Sequence, residues 1–62
     1  MRYREEFIRE FYDNDCMSYV AWRAKIYDDI NRRAQKGWRF KSMCQHSDTP
    51  PISISYRMFK YE

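Results

Sequence analysis

The sequence predicts an α+β domain, one helix laid on a small antiparallel sheet, and three observations carry that reading. Apolar residues recur at three-to-four spacing from about Met17 to Lys36, the period of an amphipathic helix. The only glycine, Gly37, follows directly. Lacking a Cβ, it adopts the left-handed backbone of a helix C-terminal cap at little cost. Two alternating runs come next, Trp38 to Cys44 and Ile52 to Met58, separated by the polar, proline-ended stretch from His46 to Pro51. Alternating runs joined by such a loop predict a hairpin.

In chain order, residues 3–12 fit two patterns. On a helix, Tyr3, Phe7, Ile8 and Phe11 form one stripe; on a strand, Tyr3, Phe7 and Phe11 share one face, with Ile8 and Tyr12 on the other. Arg and Glu favour the helix and the aromatics favour the strand, so the period alone leaves both open. Asp13, Asn14 and Asp15 form a polar break that supplies a turn and a helix N-cap. In the helix, Val20, Ala24, Tyr27, Ile30 (or Asn31) and Ala34 make the expected buried stripe, flanked by Tyr19, Trp22 and Ile26. Asp28 and Arg32, and Asp29 and Arg33, are spaced to pair along the helix. After Gly37, Trp38 and Phe40 are expected inward and Arg39 and Lys41 outward. In the last run Ile52, Ile54, Tyr56 and Met58 share one face. The other face begins with Ser53, Ser55 and Arg57 and turns aromatic at Phe59 and Tyr61.

Sixty-two residues make one domain, residues 1–62, close to the lower limit for a chain that folds without help. No segment resembles a signal peptide or approaches a membrane span, and two cysteines are too few for a secreted disulfide scaffold. The expectation is a cytoplasmic protein with reduced thiols and no membrane partner. Six Tyr, four Phe and two Trp exceed what one helix on one sheet can bury, while leucine is absent. Excess aromatic surface marks interaction sites, so the fold is expected to be completed by homodimerisation. The net charge of +3 gathers at the helix end and the next strand, in Arg32, Arg33, Lys36, Arg39 and Lys41. Basic residues there also suit the helix macrodipole.

The segment from Tyr27 to Phe40, with its Gly37-Trp38 step, and the segment from Ile54 to Lys60 resemble the small prokaryotic and phage family catalogued as domain of unknown function 4177. The resemblance covers about half the chain. It implies a strand over residues 3–12, hence the order β-α-β-β, and a phage or bacterial setting. It brings no agreed activity.

Chemistry-bearing residues are sparse. His46, Ser47 and Asp48 are neighbours along a loop, whereas triad members converge from separate supported positions. Cys44 and His46 offer two metal ligands, and only Cys16 adds another thiol, short of the four a structural zinc needs. One glycine cannot build a phosphate-binding loop. No catalytic residue, metal or cofactor is therefore expected. The leading expectation is a non-catalytic protein-interaction module, a homodimer serving as a phage-encoded inhibitor or adaptor of a host or bacterial protein, including a defence protein. Its anchors would be Trp22, Phe59 and Tyr61, because large aromatics dominate interface energetics. The alternative is a nucleic-acid- or nucleotide-binding protein whose sheet face holds anions with Arg39, Lys41 and Arg57 beside the aromatics. A small-molecule sponge at a dimer junction is a third reading.

Overall fold

A computed structural model describes residues 1–62 as four elements: β1 (Tyr3–Phe11), α1 (Tyr19–Gln35), β2 (Arg39–His46) and β3 (Ser53–Tyr61). The sheet order is β1-β3-β2, antiparallel throughout, so the last strand inserts between the first two. The helix carries the chain from one sheet edge to the other. Residues 3–11 are thus a strand, in an unbroken nine-residue register that runs from Tyr3 opposite Tyr61 to Phe11 opposite Ser53. Local propensity could not decide this, because the pairing partner lies about fifty residues away.

The central strand is buried on its helix side, and Ser53 and Ser55 are buried on the other. Ile54, Tyr56 and Met58 lie under the helix with Trp22 and Ile26, and these five residues are the whole hydrophobic core. Ile8, Tyr12, Met17, Tyr19, Ile30, Trp38, Met43 and Ile52 pack around it. Tyr12, Tyr19 and Trp22 meet with ring centroids 5.2–5.8 Å apart, a range that favours tilted and edge contacts.

Several expectations for the helix need correction. It starts at Tyr19 with Ser18 as its N-cap, whose side chain accepts from the Ala21 N–H. Asp13 instead closes the preceding turn, accepting from the Asp15 N–H at 2.9 Å. The helix is also rotated from the stripe expected. Trp22, placed by sequence among the interface anchors, is only 4% exposed at the centre of the core, while Val20 is 77% exposed. The chain contains two apolar stripes about a third of a turn apart, and the sheet takes the one with the larger rings. That choice buries more apolar area per position. Neither Asp28–Arg32 nor Asp29–Arg33 forms a salt bridge; Arg33 reaches across to Glu6 on β1 instead.

The helix end is as expected. Gly37 has φ +95°, its N–H donates to the Ala34 carbonyl at 3.1 Å, and the Trp38 N–H donates to the Arg33 carbonyl at 3.1 Å. These two bonds are the Schellman pattern. In β2 the simple alternation fails, because the register shifts between Phe40 and Ser42. The bulge at Lys41 moves Met43 to the helix side, opposite Tyr56, and turns Cys44 outward, opposite Ser55. His46, expected in the loop, is the last residue of β2. Phe40 is on the helix side but half exposed, since it lies on an edge strand with no further strand beside it. No helix of the structure is long and apolar enough to cross a membrane.

Candidate functional site

The face of the sheet turned away from α1 has no cover. The strand registers place Tyr3, Glu5, Phe7, Arg9 and Phe11 of β1 on it, beside Ser53, Ser55, Arg57, Phe59 and Tyr61 of β3. Arg39, Lys41, Ser42, Cys44 and His46 of β2 complete it. The two central serines are small enough to be overgrown by their neighbours. Arg9 Nε donates to Ser53 Oγ at 3.3 Å, and His46 Nε2 lies 2.8 Å from Ser55 Oγ. Both serines are buried, so the face is a shallow trough between taller side chains.

Aromatic rings rise along one side of the trough. Tyr3, Phe59 and Tyr61 cluster at one end, with centroids 5.3 Å apart for Tyr3 and Tyr61 and 6.1 Å for the other two pairs. Phe7 and Phe11 continue the row, at 52% and 59% exposure. Each has a guanidinium over its face: Arg57 is 4.8 Å from the Phe7 centroid and Arg9 is 5.3 Å from that of Phe11. Such contacts hold an arginine in place without neutralising it.

Glu5 is the electrostatic hub of this face. It accepts from the Tyr3 hydroxyl at 2.7 Å, from Lys41 at 3.2 Å and from Arg57 at 3.4 Å. The Tyr3 hydrogen bond and then Lys41 hold its carboxyl below the ordinary value of 4.5, and Glu5 in turn raises Lys41. Glu62 is lowered in the same way, by Lys60 and then Arg4. A carboxyl whose folded-state pKa is depressed stabilises the fold above its unfolded value and loses that contribution as pH falls through the folded one. The melting temperature is therefore expected to fall below pH 4.5, and to fall less in Glu5→Gln than in the unmodified chain. Equal acid sensitivity of the two proteins in thermal melts would remove Glu5 from this role. The groups are solvent-exposed, so the effect is small and shrinks with salt.

Of the residues singled out by sequence, Phe59 and Tyr61 share this face and touch Tyr3, while Trp22 lies on the far side of the sheet in the core. Arg39, Lys41 and Arg57 share the face as well. Lys41 and Arg57 converge on Glu5, whereas Arg39, opposite Phe59, has no carboxylate partner. Sequence reasoning did not select Tyr3, Glu5, Phe7, Arg9 or Phe11 as site residues. Their signal was the even spacing of Tyr3, Phe7 and Phe11, which puts them on one face once the segment is a strand.

The His46–Ser55 contact is the one pairing of an imidazole with a hydroxyl. It has no third group orienting the ring, and neither residue lines a cavity, so it lacks the geometry of an activated nucleophile. No three His, Cys, Asp or Glu side chains converge as metal ligands would. No protein-family profile, curated protein or solved structure matches the chain.

Proposed function

We propose that the protein is a non-catalytic binding module that recognises a partner protein with the open face of its sheet. One observation carries the reading: five aromatic side chains and four cations stand on a single uncovered sheet face around one carboxylate. Tyr, Phe and Arg are the residue types enriched where protein interfaces concentrate their binding energy. Rings and guanidinium groups already stacked on each other lose little rotamer freedom on binding, which lowers the cost of association. A complementary partner would present acidic side chains to Arg9 and Arg39 and an apolar ridge to the trough between them. An inhibitor or adaptor acting on a host or bacterial protein is a role such a surface suits.

Nucleic acid is the second reading, favoured by the same four cations. Against it, Glu5 engages Lys41 and Arg57, and guanidinium groups occupy one face each of Phe7 and Phe11, where bases would stack.

Photo-crosslinking in cells from a benzophenone side chain at position 7 tests the proposal, with position 25 on the exposed side of α1 as comparison. A discrete protein adduct from position 7 alone, lost in the Phe11→Ala/Tyr61→Ala double variant, is the expected result. Equal labelling from both positions would overturn it. Salt-sensitive binding of a single-stranded oligonucleotide by the purified chain would transfer the face to nucleic acid, because released counterions make that affinity fall steeply with salt.

A further inference from the structure

The helix is asymmetric in a way the open face does not use. Its flank towards β1 is charged: Asp29, Arg32 and Lys36 line a cleft there with Glu10 of β1. Its flank towards β2 is mainly apolar, with the Arg23 guanidinium lying over the Tyr19 and Tyr27 rings. Tyr27 and Ile30 of α1 and Phe40 and Met43 of β2 enclose a groove of about 410 Å³ with no polar lining residue. Val20, Ala24 and Ala34 extend the apolar flank along the helix, all exposed. The groove ends at β2, an edge strand whose outer backbone groups have no strand partner.

We infer that a second copy of this chain covers that groove, pairing β2 with β2 about a two-fold axis to give a six-stranded sheet with the two helices side by side. The occupant follows from three features of β2. It contains no carboxylate and no proline, so what opposes strand addition along it is Arg39, Lys41 and the bulge between Phe40 and Ser42. Lys41 is paired with Glu5 of its own chain at 3.2 Å, which removes most of its repulsion. Last, the bulge makes the strand self-complementary. Phe40 and Met43 are on the helix side, while Arg39, Lys41, Ser42 and Cys44 are on the open side. An axis between Lys41 and Ser42 sets Phe40 opposite Met43 of the second copy, Lys41 opposite Ser42, and Arg39 opposite Cys44. Every pair then matches in face, and no two like charges are directly opposed. The neighbouring axes, through Lys41 or through Ser42, set inward residues against outward ones.

A stable interface takes about 800 Å² from each partner, roughly a sixth of the 4713 Å² that the chain exposes, and each copy would contribute the edge of an eight-residue strand and the flank of a 17-residue helix. The same face serves both copies, as a two-fold interface requires.

Light scattering on the eluting protein at high salt tests the inference. The expected mass is twice the 7.8 kDa of the chain. Tyr27→Glu, at an exposed helix position, is expected to halve that mass while keeping the circular dichroism of the fold. Phe7→Ser/Phe11→Ser, on the open face, is expected to leave it unchanged. The register is tested separately: Arg39→Cys, oxidised, is expected to form a covalent dimer through Cys44 of the second copy, and Arg39→Cys/Cys44→Ser is not. A single-chain mass for the unmodified protein, a dimer untouched by Tyr27→Glu, or dissociation by the open-face variant would each overturn the inference. The open-face proposal depends on position 7 crosslinking, so either conclusion can fail alone.

Discussion

Trp22→Ala is expected to leave the chain largely unfolded at room temperature. The core consists of five side chains, and Trp22 is its largest. Removing a buried Trp or Phe side chain costs about 3–5 kcal/mol, from lost burial and from the cavity left behind. A chain of this length has only about 3–9 kcal/mol of stability in total, at the usual amount per residue. Tyr12 and Tyr19 both pack on the Trp22 ring and would lose their support with it. Loss of the cooperative thermal transition, followed by far-ultraviolet circular dichroism, is the measurement. Val20→Ala, in the exposed stripe, is the comparison and should melt close to the unmodified chain. If Trp22→Ala melts cooperatively near the unmodified temperature, Trp22 belongs to a surface and not to the core.

Gly37→Val is expected to cost about 1–3 kcal/mol, the usual range for a side chain forced into the left-handed region. Nothing beyond the chain neighbours of Gly37 lies within 4 Å of where a Cβ would sit, so the cost is backbone strain at φ +95° and not a clash. Two hydrogen bonds depend on that conformation, from Gly37 to Ala34 and from Trp38 to Arg33. In a domain of this size each kcal/mol lowers the melting temperature by about 4–8 °C. Gly37→Asn should cost less, because asparagine tolerates the left-handed region. Equal melting temperatures for the two variants would show that the backbone there relaxes.

The cap and the hairpin were legible because their signals are local. Gly37 ends a helical period, and the two prolines of the loop stand between alternating runs. The helix face was not legible, since Val20, Ala24 and Tyr27 form as regular a stripe as Trp22, Ile26 and Ile30 do. What separates them is the apolar area each buries against the sheet, larger for Trp22, Ile26 and Ile30. Part of the candidate site was readable in Phe59, Tyr61, Arg39, Lys41 and Arg57. The remainder required knowing that β1 pairs with β3, which brings Tyr3, Glu5 and Phe7 beside them.

By itself, then, the sequence determined which elements follow residue 12, the glycine cap between helix and strand and the outward aromatic end of the last strand. These follow from backbone propensity and from periods of two and 3.6 residues, which act over a few neighbours. Tertiary pairing settled that residues 3–11 are the strand the family resemblance implied, and alone decided that Trp22 is core, that Lys41 sits at a bulge and that Glu5 holds two of the predicted cations. Each of those depends on which distant surfaces meet, and burial and charge pairing are settled by that meeting.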